Sequence, residues 1–170
     1  MTATGLAVGH ESAFIDLRGK LPVRQDIQYK MRTEAEIDGI IWHHTASRAQ
    51  TIRSIAEYHT KVRGWPEIAY HFAVGHDGKV YQLLDVQKWS HHAAGHNRNN
   101  IGIVLIGNYE DNEPSPQMLA SAKIIQRNLV QQYNIKHVWL HKDTKATLCP
   151  GKHATKTLRK WQFGELPKKK

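Results

Sequence analysis

"IIWHHTAS", residues 40–47, sets two isoleucines and a tryptophan directly before a pair of histidines and a run of small polar residues. Such a stretch reads as a buried strand that delivers an imidazole to a loop. That imidazole can serve packing, proton transfer or metal ligation. Side chains alternate across a strand, so only one of His43 and His44 can face a given side. The stretch alone leaves open which.

The flanking sequence supplies the rest of an α/β fold. Residues 1–36 carry mixed polarity with Gly19 and Pro22 and read as an extended arm with one short helix. "TIRSIAEYHTKVRG" places Ile52, Ile55, His59 and Val62 at helical spacing, with Gly64 as a stop. "IAYHFAVGHDGKVYQLL" reads as two strands around Asp77-Gly78, a hairpin signal. "NIGIVLIGNY" is a continuous apolar run suited to a central strand. "SPQMLASAKIIQRNLVQQY" opens with a Ser115 cap and Pro116 at the first helical position, and Met118, Ala122, Ile125 and Leu129 form one face. "HVWLH" is a further strand and "TKTLRKW" a short terminal helix. The expected architecture is a central mixed β-sheet of about five strands flanked by helices. Its expected divisions are an arm over 1–36, one domain over 37–162 and a basic tail over 163–170, with Trp42, Phe72, Trp139 and Trp161 in the core.

The totals narrow the function. No apolar run approaches the roughly 20 residues that span a bilayer. The N-terminus lacks the basic start and apolar block of a secretory signal, so synthesis in the cytoplasm without a signal peptide is expected. The net charge of +9 favours polyanionic partners. Yet the basic residues are scattered apart from "LPKKK", and no nucleic-acid reading element is present. The single cysteine, Cys149, allows no intrachain disulfide, and a lone cysteine is commonly a small buried hydrophobe. Twelve histidines turn attention to metals and proton transfer.

P-loop, nucleophile-elbow and H-E-x-x-H signatures are absent. What remains is a set of strand-end and loop positions. His43 and His44 end the first strand, Tyr70 and His71 begin the hairpin, and His91 and His92 precede the central strand. His141 ends the last strand, and Cys149 follows in "HKDTKATLCPG". A loop that turns at Pro150-Gly151 can fold Cys149 back toward His141. With a third ligand from the "WHH" strand end, these give the His–His–Cys set of a catalytic zinc site. Spacing alone weighs this evenly against scattered core and surface histidines.

The stretches "IIWHHTAS", "GWPEIAYHFAVGHDGKVYQ", "SHHAAGHNRNNIGIVLIGNY" and "HKDTKATLCPG" together resemble the zinc-dependent N-acetylmuramoyl-L-alanine amidases of the type-2 amidase fold. That family includes phage endolysins and animal peptidoglycan-recognition proteins. The resemblance covers roughly residues 37 to 162 and implies Zn2+ held by His43, His141 and Cys149, which selects His43 over His44. It implies an active-site role for Tyr70 and puts Thr147 where phage members often carry lysine and catalytic peptidoglycan-recognition proteins carry threonine. His92, with Trp65 and Asn97, is expected at the substrate groove. His44 and His71 read as packing groups, and His59 as a satisfied, half-buried histidine.

The implied activity is hydrolysis of the amide between the N-acetylmuramic acid lactyl group and L-alanine of the stem peptide. The implied protein is a monomeric, bacteriolytic, phage or prophage endolysin that reaches the wall once the membrane is breached. Its positive charge would contact anionic envelope polymers. Two rivals are a non-catalytic peptidoglycan-binding module and a nucleic-acid-binding protein. No carboxylate is clearly placed as general base; Asp143 is near in sequence, with its direction unspecified.

Overall fold

A computed structural model of the chain describes residues 14–168; the outer parts of the expected arm (1–13) and tail (169–170) lie outside the described residues. Two strands come from the arm, β1 (Phe14–Asp16) and β2 (Lys30–Met31), followed by a 3-10 turn at Glu34–Glu36. Then come β3 (Gly39–His44), α1 (Ile52–Glu57), β4 (Phe72–Val74), β5 (Val80–Gln82), β6 (Lys88–Trp89) and β7 (Asn100–Leu105). The chain closes with α2 (Pro116–Gln132), β8 (His137–Leu140), α3 (His141–Thr144) and α4 (Lys152–Leu158).

The main sheet has six strands in the order β1-β5-β4-β7-β3-β8, and β2 pairs with β6 in a separate ribbon. The strand beyond the expected five is β1, which lies parallel to β5 with Phe14 opposite Val80. Central β3 and β7 are parallel and buried along their whole length, which is why their sequences run apolar without alternation. The expected hairpin forms at Asp77-Gly78: β4 and β5 are antiparallel, and the Asp77 carboxylate accepts from the Lys79 N–H at 3.1 Å.

Register then sorts the side chains. Ile40, Trp42, Ile101, Ile103, Val138 and Leu140 face α2 and join its Met118, Ala122, Ile125 and Leu129 in one core. The helix starts as expected, with the Ser115 hydroxyl accepting from the Met118 N–H at 3.1 Å and Pro116 in its first turn. Gly39, Ile41 and His43 face the opposite side. So do the residues they pair with, Asn100, Gly102 and Val104 on β7 and His137 and Trp139 on β8. There Ala73 and Val104 pack with Ile55, Ile68 and Leu84 in a second, smaller core.

Three local expectations are corrected. The helix after Thr51 widens into a π-turn at Tyr58–Val62. The wider turn shifts the helical register, so Ile55 and His59 stay buried while Val62 is 68% exposed. Trp139 and Trp161 are only half-buried: Trp139 stands on edge strand β8, stacked on His137 at 3.6 Å, and Trp161 packs at the rim of the larger core. Strand β8 stops at Leu140, and His141 opens the turn α3, because the Asp143 carboxylate accepts from the Leu140 N–H at 2.9 Å.

Candidate metal centre

His43 leaves the end of β3 on the face away from α2, while His44 turns to the other face, where its Nδ1 accepts from the Tyr109 N–H at 3.1 Å. His141 is delivered by the turn after β8, the neighbour of β3 in the sheet. Cys149 returns on the following loop. The Lys142 N–H donates to the Cys149 carbonyl at 3.0 Å, and the Gly151 N–H closes the turn onto Leu148 at 2.7 Å. The His44 N–H points at Sγ from 3.4 Å. One ligand atom from each of His43, His141 and Cys149 falls within 4.8 Å of the others.

The donor set fits a small tetrahedral cation. Zinc bonds of about 2.0 Å to nitrogen and 2.3 Å to sulfur, at tetrahedral angles, set those atoms roughly 3.5 Å apart. Here His43 Nδ1 and Cys149 Sγ are 3.8 Å apart, and the His43 and His141 rings are 4.5 Å apart. Burial, then the neighbouring His141 and His92, hold His43 far below the ordinary imidazole range. His141 is lowered to about 4 by burial and by Lys145. Both rings are therefore neutral at physiological pH, as ligation requires. Burial pushes the Cys149 thiol up to about 12, although the His44 N–H opposes the rise. A bound cation would reverse that balance and hold the thiolate.

The remaining expected residues surround this point in different ways. The Tyr70 ring lies 5.2 Å from that of His43, and burial, followed by the Cys149 sulfur, raises its phenol so that it stays protonated. The Thr147 hydroxyl oxygen accepts from the Cys149 N–H at 3.2 Å, which leaves its own proton free to donate. Trp65 sits farther out, between His59 at 4.8 Å and His91 at 5.7 Å, with the Arg63 guanidinium over its ring. The other two residues expected at the groove have partners of their own. His92 is buried beneath His43, its Nδ1 3.0 Å from His43 Nε2, because Gly102 below it leaves room for a ring. The Asn97 side-chain oxygen is occupied by the Ala93 N–H at 2.6 Å, closing its own loop.

Asp143 is accounted for as well. Its carboxylate accepts from Leu140 and Gln162 and pairs with Arg159, so it braces α3 against the C-terminal segment. His71 and His59 are packing groups with satisfied rings: each Nδ1 accepts a backbone N–H, from Gly102 and Ala69 respectively. Sequence reasoning missed Lys142 and Lys145. With His96 they line a cleft of about 690 Å³ beside His141, and their charges are felt at Cys149. Their place in "HKDTKATLC" was visible; the turn α3, which holds Lys142 and is followed by Lys145, was not.

Comparison with known proteins agrees with this geometry. The family Amidase_2, described as N-acetylmuramoyl-L-alanine amidase, matches residues 33–152. Peptidoglycan-recognition protein SC1a of Drosophila melanogaster is 34% identical over 132 residues, covering 71% of each chain. Among solved structures, the endolysine N-acetylmuramoyl-L-alanine amidase LysCS from Clostridium intestinale is 29% identical, with a TM-score of 0.70 over 88% of this chain and 97% of its own. Peptidoglycan recognition protein-LE in complex with tracheal cytotoxin shares the fold at a TM-score of 0.77 and 23% identity, over 88% of this chain and 94% of its own. Matched along most of its length and folded as these proteins are, the chain belongs to the type-2 N-acetylmuramoyl-L-alanine amidase family, which the peptidoglycan-recognition proteins share.

Proposed function

We propose that this protein is a zinc-dependent N-acetylmuramoyl-L-alanine amidase that cuts between the muramic acid lactyl group and L-alanine of the stem peptide. The observation that carries the reading is the convergence of His43, His141 and Cys149, three ligand atoms within 4.8 Å drawn from the end of β3 and from the segment after β8 about a hundred positions later. Zinc bound there would supply Lewis acidity and a water made acidic enough to attack at neutral pH. Tyr70, kept protonated by its burial, donates to the oxyanion that forms as the amide carbonyl is attacked. Thr147 holds the Cys149 loop through its oxygen and offers its hydroxyl proton to the same region. A neutral hydroxyl is no strong base, and Thr147 is assigned positioning and donation only.

The name of the clostridial neighbour supports an endolysin role. In that role the protein is made in the cytoplasm, crosses a breached membrane as a monomer and lyses the wall. Its net charge of +9 then holds it near anionic envelope polymers, so lysis weakens as salt rises. The test is digestion of purified peptidoglycan with and without a chelator, followed by mass spectrometry. Free stem peptides starting at L-alanine, lost on chelation and restored by zinc, are the expected products. A zinc-loaded protein that binds peptidoglycan and releases nothing would instead make this a recognition module.

A further inference from the structure

His43 has two ring nitrogens, and only the one carrying a lone pair toward Cys149 can hold a cation. The structure contains what decides between them. The Asn100 carbonyl can only accept, and His92 Nε2 lies 3.2 Å from it, so that nitrogen must carry the proton. Neutral His92 then has a lone pair on Nδ1, which sits 3.0 Å from His43 Nε2. His43 must donate from Nε2, which leaves Nδ1 bare, and Nδ1 is the atom 3.8 Å from Cys149 Sγ.

We infer that His92 is a positioning residue that fixes His43 as its Nε2–H tautomer and so presents Nδ1 to the metal, with Arg32 anchoring the relay from the N-terminal arm. Arg32 is buried and donates through Nε to the Val86 carbonyl. Through Nη1 it reaches the carbonyls of Asn97, Arg98 and Asn100, at 2.7–3.0 Å. The last of these is the acceptor His92 uses, so one guanidinium pins the carbonyl from which the tautomer is set. The Asn100 side chain is also committed, donating to His96 and accepting from His137. A histidine ligand ordinarily hands its second proton to a carboxylate, a carbonyl or water. Here a second imidazole is interposed before the carbonyl.

The inference deepens the zinc reading, but its first test does not depend on it. Long-range proton–nitrogen NMR of the metal-free protein with labelled histidines, at neutral pH, reads the tautomer directly. His43 protonated at Nε2 is expected; protonation at Nδ1 overturns the proposal. His92→Gln keeps an acceptor and a donor in the side chain, whereas His92→Phe keeps a ring and loses both. H92F is expected to mix the His43 tautomers and to weaken zinc binding by about 10–100-fold in chelator competition, with H92Q restoring most of that loss. Wild-type tautomer and zinc affinity in H92F would overturn the proposal, and if H92F does not fold, the wild-type spectrum and H92Q decide. A wild-type protein with the Nε2–H tautomer and no zinc affinity would sink the amidase reading and leave the tautomer assignment standing.

Discussion

His43 Nδ1 and Cys149 Sγ stand 3.8 Å apart although 106 positions separate them in the chain. Two parallel neighbours of β3 make this possible: β7 holds it from one side, and β8 ends beside it and releases the loop that carries the thiol.

Replacing that sulfur is the most direct test of the centre. Cys149→Ser exchanges a soft thiolate for a hydroxyl that zinc does not deprotonate readily. Zinc affinity should fall by more than the roughly 10–100-fold that outer partners contribute, and lysis should vanish with it. A fully active, zinc-replete C149S protein would refute the ligand assignment.

Tyr70→Phe separates binding from chemistry. The ring stays beside His43, so zinc should remain bound with unchanged stoichiometry. Loss of one oxyanion donor should lower kcat by about 10²–10³-fold. Equal turnover by Y70F would remove the phenol from the mechanism.

Gly102→Ala tests the floor under the imidazoles. A Cβ at this position would lie 2.6 Å from His92 Cγ, so the ring must move. The expected cost is about 1–3 kcal/mol of stability, together with weaker zinc binding, because His43 loses its support. Calorimetry and chelator titration of the same preparation would show both effects. A G102A protein that loses stability and keeps its full zinc affinity would uncouple His92 from the centre.

His59 is one of several buried histidines, with His43, His71 and His92, that make the fold acid-sensitive. Burial, and then the Arg63 charge, lower its imidazole to about 4 from an ordinary 6.5. Between those values the unfolded chain binds the proton and the folded chain does not. The stability from this group is thus complete above about pH 6.5 and drains away as pH falls toward 4. Its size is on the order of 3 kcal/mol. Melting temperatures of the wild type should drop across that window, and His59→Asn, which can still accept from Ala69, should drop less. Parallel curves for the two proteins would assign the acid sensitivity elsewhere.

Much of this molecule was legible because its signals are local. The Ser115-Pro116 start of α2 and the Asp77-Gly78 turn are each written in adjacent residues and form as read. Alternation in "WHH" restricted the candidates to one histidine per face, and the family resemblance selected His43. Long-range relations left no such trace. Strand β1 is three residues whose one strand partner among the described residues is Val80–Gln82, and a short FID stretch looks like coil until that partner is known. Arg32 looks like a surface cation in "KMRTE", yet its charge is spent on four carbonyls more than fifty positions away. His92 was expected at the groove from the family resemblance alone, and nothing in its own loop announces that its ring packs over Gly102 of β7.

The alternation along β3 ties core packing and the choice of imidazole at the centre to one register. If β3 paired one position out of step, Trp42 would leave the α2 core and His44 would take the place of His43. Misaligned molecules would therefore lose the Trp42 packing while still offering an imidazole beside Cys149. The burial of Trp42 becomes the census of correctly aligned molecules, so a preparation refolded from denaturant can be graded by that indole's environment before any substrate is added.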